Sequence, residues 1–289
     1  MPENPYKSAK AFRQALESRL NAKVTTNAEV QRLRRLVSFD RLLARLFADQ
    51  DAPWLVKGGY SLEVRYGMKA RTTRDVDLAL PSFVSESITQ DNAIQSVWEK
   101  LQDAAFIDLG DYFVIYVAAP RQEFDAPPEG GARHPVEVRL DQRTFAKFHL
   151  DVGIGDVVLN EAEWASGEDF LSFAGISRAR FRVIPIAQQL AEKVHAYTLP
   201  RPSGVNSRVK DLIDLMLILD HDMPTAESIK VAVESTFAYR NTHAVPATLP
   251  AAPATWAASF TAIARELNLT QNTTEAAIDR MNKYWKTVF

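Results

Sequence analysis

The sequence predicts an α+β fold: a mixed β-sheet core flanked by helices, with N-terminal helices before it and a helical C-terminal half after it. Three observations predict this. Apolar residues recur at helical spacing over roughly the first fifty residues. Between residues 54 and 184, short runs rich in Val, Ile, Phe and Tyr alternate with Gly, Pro and polar stretches. Beyond residue 185 the apolar segments return to the helical period. The change of character divides the chain into 1–185 and 186–289.

Each element follows from its pattern. Ala9, Phe12, Ala15, Leu16 and Leu20 form one stripe and predict a helix over 8–22. Val30, Leu33, Val37, Leu42, Leu43 and Leu46 predict a second over 27–48, with Asn27 as N-cap and Pro53 as its stop. Trp54-Leu55-Val56 reads as a short strand running into a turn at Lys57-Gly58-Gly59, then a helix over 60–66. Val76, Leu78 and Leu80 alternate with Asp75, Asp77 and Ala79, the period of a strand. A helix over 88–103 and a strand over Tyr112–Ala118 follow, then a loop over 120–133 rich in Pro, Gly and charge. His134–Leu140 and Phe145–Val152 predict a hairpin, with Asp151 at the end of its second strand. Phe181–Ile184 is a last strand before helices over 186–199, 205–221, 226–240, 254–267 and 273–287. The stretches 198–204 and 245–254 read as links. No internal repeat is visible.

Composition narrows the chemistry. With 46% hydrophobic residues in 289, there is enough apolar surface for a core without staples. The absence of cysteine excludes a disulfide framework, thiolate zinc ligands and thiol nucleophiles. The N-terminus lacks an apolar leader segment and no window is long and apolar enough to span a bilayer, so a cytoplasmic protein with no membrane partner is expected. A formal net charge of −2 argues against a uniformly basic coat for nucleic acid. The charge is uneven, however. Residues 1–50 carry ten basic and five acidic side chains, and Arg65, Lys69, Arg71 and Arg74 follow. That segment reads either as solvated helix faces or as a surface for phosphate backbones.

The stretch Trp54–Leu80 carries the most chemistry. Asp75 and Asp77, two apart on a strand, point to one face. Such a pair repels itself unless cations intervene, and it offers the hard oxygen ligands that Mg²⁺ takes beside substrate phosphates. Gly58 and Gly59 precede a helix, where bare backbone N–H groups favour an anion. Asp151 is the best third carboxylate, and Asp156 competes with it from beyond two glycines. Each feature alone has a plain reading: a surface carboxylate pair, a glycine turn, a strand-end acid. Their order is what points to a triphosphate and a metal.

At these residues the chain resembles the AbiEii/AbiGii toxin family of nucleotidyltransferases, which includes the MenT toxins and has a DNA polymerase beta-like core. The resemblance runs from roughly residue 10 to 220. It is carried by LARLF, WLVKGGYSLEVRY, ARTTRDVDLAL, FHLDVGIGD, IPIAQQLAEKVHAY and RVKDLIDLMLIL in that order. It implies that Asp75 and Asp77 are metal ligands with Asp151 the third acid, that Lys193 contacts the nucleotide phosphates, and that Asp211 is needed for activity. Lys57, Gly58, Gly59, Ser61, Arg71 and Thr73 join Lys193 as candidate nucleotide-binding residues. Where the superfamily often has Gly-Ser, this chain has Gly58-Gly59, with Ser61 two residues later. Thr73 resembles a position that antitoxins phosphorylate in some relatives, and added negative charge there would oppose NTP and metal.

The resemblance implies an enzyme that uses Mg²⁺ (or Mn²⁺) to transfer NMP from an NTP to the 3′ end of tRNA. Its expected partners are tRNA, NTP and a cognate antitoxin encoded nearby, and a monomer is expected. Two other readings stand beside it. The acceptor could be a hydroxyl on a protein or small molecule, or the chain could be a nucleotide-binding module without turnover.

Overall fold

The computed structural model describes residues 5–81, 93–124, 130–156, 162–201, 204 and 206–289. The chain divides into two compact units. One holds Met1–Val64, Thr72–Asp156 and Glu163–Val183; most of the other is Arg65–Arg71 and Ile184–Phe289. The fold is α+β, with a mixed sheet, N-terminal helices and a helical C-terminal half.

In the first unit, α1 (Ala9–Lys23) starts at Ser8, whose side chain accepts from the Ala11 N–H. Helix α2 (Asn27–Leu46) is capped by Thr26, not by Asn27 as the sequence predicts. Thr26 and Glu29 form a reciprocal capping box, which satisfies two otherwise unpaired N–H groups and so fixes the start one residue earlier. The helix also ends at Leu46, well before Pro53. Then come β1 (Leu55–Lys57), α3 (Gly58–Tyr66) and β2 (Val76–Pro81). The two glycines are the first turn of α3 rather than a turn ahead of it. The expected helix over 88–103 is α4 (Ala93–Ala105); residues 88–92 lie outside the described residues.

Strands β3 (Phe113–Val117), β4 (Gln122–Phe124), β5 (Gly131–Leu140), β6 (Arg143–Asp156), β7 (Glu163–Ser166) and β8 (Arg180–Val183) complete the sheet. Its order is β3-β5-β6-β2-β1-β8-β7, with β4 added on β5. The stretch 120–133 is thus not all loop. Gln122–Phe124 pairs with Gly131–Arg133, a short edge strand whose alternation the prolines and charges hide; residues 125–129 lie outside the described residues. The β5–β6 hairpin turns at Asp141 and Gln142, both with positive φ, as a tight two-residue turn requires. Strand β6 continues to Asp156, so Asp151 sits inside the strand and not at its end.

Helices α1, α2 and α4 cover one face of the sheet, packing on β5, β6 and β3. Phe12, Leu16, Val37, Leu42 and Leu43 meet Phe148, Leu150 and Val152 there, and Phe39 lies edge-on to Phe148 at 4.7 Å. The other face is exposed toward the β3 edge, where buried and exposed side chains alternate along β3 and, from Ala132 onward, along β5.

The second unit holds α5 (Ile186–Thr198), α6 (Val209–His221), α7 (Ala226–Arg240), α8 (Ala257–Glu266) and α9 (Thr274–Val288). Residue 205, the expected first residue of α6, lies outside the described residues, as do 202 and 203 of the preceding link. Helix α6 is buried from Asp211 to Leu219, the pattern of a helix enclosed by others, and α5, α8 and α9 pack around it. No helix among the described residues is long and apolar enough to cross a membrane.

Part of the basic N-terminal segment is core rather than surface. Arg41 and Arg45 are each 2% exposed. Arg45 donates to both Asp111 oxygens at 2.9 and 2.8 Å, and to the Phe113 carbonyl. Arg41 pairs with Asp40, whose other oxygen accepts from the Ala179 N–H at 2.7 Å. Burial raises the Asp40 pKa despite Arg41. Others are engaged within the unit: Arg32 with Glu63, Arg34 with Glu17, and Lys23 with Glu168. The apolar stripe turns these arginines inward, where carboxylates meet them, so much of the segment's excess charge is neutralised locally.

Asp111→Ala leaves the buried Arg45 without its carboxylate and is expected to destabilise the first unit by about 3–5 kcal/mol. Urea unfolding checks this; a midpoint unchanged from wild type contradicts a stabilising pairing.

Candidate active site

Strand register assembles the first half of the site. Strands β2 and β6 are parallel, with Asp77 opposite Asp151; β1 and β2 are antiparallel, with Lys57 opposite Asp77; β5 and β6 are antiparallel, with Arg133 opposite Asp151. Side chains at paired positions share a face. Lys57, Asp77, Asp151 and Arg133 therefore form one row across four strands, neighbours spaced about 4.8 Å. Asp75 precedes β2, and one of its oxygens accepts from the His149 N–H at 3.2 Å and lies 3.2 Å from His149 Nδ1. Arg133 grips Asp151 at both oxygens, at 2.8 and 2.6 Å, which raises the arginine's pKa further.

Gly58 completes the row for a steric reason. Its φ is +66°, and a Cβ there would overlap the Asp77 carboxylate, lying 2.6 Å from Cγ. The backbone approaches the acid as only glycine permits. Gly59 is buried in the same turn, and the Ser61 hydroxyl donates to the Gly58 carbonyl at 3.0 Å, so the serine braces the turn. Thr73 is 8% exposed; its N–H donates to Glu63 at 3.3 Å and its hydroxyl to the Asp75 carbonyl at 3.3 Å. Glu63 is tied in turn to Arg32. Arg35, beside Arg74 and Glu63, has its pKa lowered, chiefly by burial and then by Arg74.

The second unit holds a separate ionic cluster. Lys193 Nζ donates to Asp214 at 2.5 Å and to Asp211 at 3.1 Å. Arg71 binds both Asp214 oxygens at 2.8 Å, and Arg208 lies 3.5 Å from Asp211. Burial alone would lower the Lys193 pKa, but Asp214 and Asp211 together raise it. Burial likewise pushes Asp214 up, and Lys193 and Arg71 bring it below the ordinary carboxylate value. Both ions are thus fixed in their charged forms. Lys193 and Asp211 meet as a pair, as expected; Arg71 is held by Asp214.

Sequence reasoning missed three participants. Asp214 is fully buried and central to the second cluster; its signal was the i,i+3 spacing from Asp211, which puts both acids on one face of α6. His149 is two residues before Asp151 on the same strand face, so period two could have found it. Arg133 had no signal, because only the β5–β6 register reveals its partner. His195 is a structural histidine: buried, with Nε2 2.8 Å from the Thr242 hydroxyl, its pKa lowered to about 3 by burial and by Arg240 and His243.

Among the described residues, no three acidic or imidazole side chains are gathered closely enough to enclose a metal ion unaided. Mg²⁺ does not require that, since one or two carboxylates with waters and substrate phosphates usually hold it. Asp75 and Asp77 offer donors of that kind. The side chain of Asp156 lies outside the described residues.

Two outcomes follow from this geometry. Gly58→Ala must strain a positive φ and push against Asp77, so a loss of at least about 1 kcal/mol is expected on thermal denaturation; a melting curve identical to wild type contradicts the close approach. For His195, the unfolded chain takes a proton near pH 6.5 and the folded one only near 3. Stability should therefore fall as pH drops through that window. His195→Gln should flatten the fall, and an unchanged pH slope counts against it.

The chain shows likenesses to a known family and to solved structures. The family model for "Nucleotidyl transferase AbiEii toxin, Type IV TA system" matches residues 41–286. No curated protein matches the chain. Among solved structures, it is similar to MenT4, a nucleotidyltransferase toxin from Mycobacterium tuberculosis, at 16% identity with a TM-score of 0.59, covering 95% of this chain and 89% of that one. JHP933 from Helicobacter pylori aligns at 14% identity and a TM-score of 0.43, covering 89% and 91%. The MenT4 likeness is one of fold. The family model, matching residues 41–286 of the 289, shows that the chain belongs to the AbiEii family of nucleotidyltransferase toxins of type IV toxin–antitoxin systems.

Proposed function

We propose that the chain transfers a nucleoside monophosphate from an NTP to a hydroxyl at the 3′ acceptor end of tRNA, blocking aminoacylation. The observation that carries the reading is the row Lys57–Asp77–Asp151, with Gly58 packed against Asp77, in a chain of this family. In the reaction, the acceptor oxygen bonds to the α-phosphorus and the bond to the β-phosphate breaks, releasing pyrophosphate. Asp75 and Asp77 are the residues to hold Mg²⁺ or Mn²⁺, which would neutralise charge on the phosphates. His149 and the Gly58 backbone orient those carboxylates. Asp151 is the third acid, and its pairing with Arg133 sets its direction. Lys57 adds a positive charge on the same face. Lys193, held protonated, is a point charge suited to a phosphate, with Asp211 and Asp214 as its orienting partners.

An antitoxin encoded beside the gene is expected for a type IV toxin. A phosphate on Thr73 would add negative charge next to Glu63 and Asp75, and the burial of Thr73 requires the segment around it to open first.

Asp75→Ala is expected to abolish transfer of labelled NMP to RNA while the protein still folds, because its carboxylate is a third exposed and tied to His149. Lys193→Ala is expected to abolish transfer and also lower stability by on the order of 3 kcal/mol, since it leaves two buried acids short of a cation. Incubation with labelled NTP and total RNA, protein or metabolites identifies the acceptor; label in protein or metabolites alone overturns the tRNA reading. An Asp75→Ala variant that labels RNA at the wild-type rate overturns the site.

A further inference from the structure

Resting on that reading of the site, we propose that the open face of the sheet, from Asp151 outward to the edge strand β3, is the track for the single-stranded 3′ segment of the RNA acceptor. Tyr116 is its base-stacking platform, and Lys147, Arg139 and Arg121 are its phosphate contacts.

The sheet's pairing makes this face continuous with the carboxylates. Tyr116 lies opposite Glu137, and Glu137 opposite Lys147, so the three share one row. Lys147, His149 and Asp151 follow one another at alternate positions of β6, all outside the apolar layer. From Lys147 to Asp151 is about 13 Å along the strand, and from β6 to β3 about 10 Å across it. That span accommodates a few nucleotides between a reacting 3′ end and a stacked base. A cavity of about 430 Å³ lies along the route, lined in part by Tyr116, Arg121, Lys147 and His149. At its inner end His149 is the residue that touches Asp75.

The chemistry of the face fits a polynucleotide. Tyr116 is 41% exposed, in a strand whose neighbouring side chains Ile115 and Val117 are fully buried. Its ring is held edge-on to Phe106, with the Arg139 guanidinium 5.3 Å from its centroid. An exposed aromatic fixed on a sheet face, flanked by cations, is a general device for stacking an unpaired base. Among the described residues, one acid stands among these cations. Glu137 accepts from Arg139 at 2.8 Å and Thr144 at 2.9 Å and lies 3.5 Å from Lys147. Among the described residues of this patch, one carboxylate stands against two cations, with exposed Arg121 besides. The N-terminal helices are the weaker candidate, since Arg41 and Arg45 are buried and Lys23, Arg32 and Arg34 are paired within the unit.

The test uses the full-length protein, labelled NTP and tRNA. Tyr116→Ala is expected to raise the KM for RNA by about 10-fold or more, with kcat within about twofold and Tyr116→Phe close to wild type. Lys147→Glu should raise KM and flatten its dependence on salt. Wild-type protein irradiated with 4-thiouridine-substituted RNA should crosslink in peptides spanning 113–121 and 143–151. If wild type labels RNA but both variants keep its KM, or the crosslinks fall only in residues 9–46, this surface is wrong while the acceptor stands. If wild type labels no RNA, the acceptor reading itself falls. Should Tyr116→Ala instead raise KM for a protein acceptor, the face is a protein-docking surface and the proposal fails.

Discussion

The parallel pairing of β2 with β6 is the constraint on which the site depends. It places Asp77 beside Asp151, and it is enforced from the opposite face. Val76, Leu78 and Leu80 on one strand and Leu150, Val152 and Ile154 on the other are all within 2% of complete burial. A slip of one residue would turn that apolar set to solvent and the carboxylates into the core, so hydrophobic burial holds the acids in line. The antiparallel neighbours extend the row by the same rule, bringing Lys57 from one side and Arg133 from the other. None of these charged residues needs an attraction to another to find its place.

Electrostatics then decides how each charge behaves. In both units a buried carboxylate is matched by two cations: Asp111 by Arg45 and Arg41, Asp214 by Lys193 and Arg71. These clusters are costly to break because any partner left behind is an uncompensated buried ion. They also change the meaning of the chain's charge distribution. Of the basic residues in the first fifty positions, Arg41 and Arg45 are folded into such a cluster, and Lys23, Arg32 and Arg34 are paired nearer the surface. The cations left outward on the sheet come instead from residues 121–147, a region whose composition carries no basic signal.

The extent to which the sequence was legible differs by type of feature. Long helices were placed within a few residues, because their apolar stripes are strong and the helices bury them. Boundaries depended on local hydrogen bonds, as where Thr26 with Glu29 displaced Asn27 as the cap. The short edge strand at Gln122–Phe124 and the strand Glu163–Ser166 were missed; each is too short to show a period. At the site, Asp75, Asp77 and Gly58 stood out because motif spacing carries them, and Lys193 because of the family resemblance. Arg133, His149 and Asp214 did not, because their partners lie 18 to 74 residues away and only tertiary pairing joins them.

The span between Asp75 and His149, 74 residues, has a consequence for when the site comes into being. Strand β2 lies between β1 and β6, and β6 reaches it only after the chain has closed a long loop and folded back on β5. Contacts of such separation form late, since the entropy of closure must be met before the pairing returns any free energy. A ribosome-bound chain that has emerged only as far as β5 holds Asp75 and Asp77 but neither Asp151 nor the strand that aligns them. The carboxylate row does not exist until the hairpin that completes it has been made.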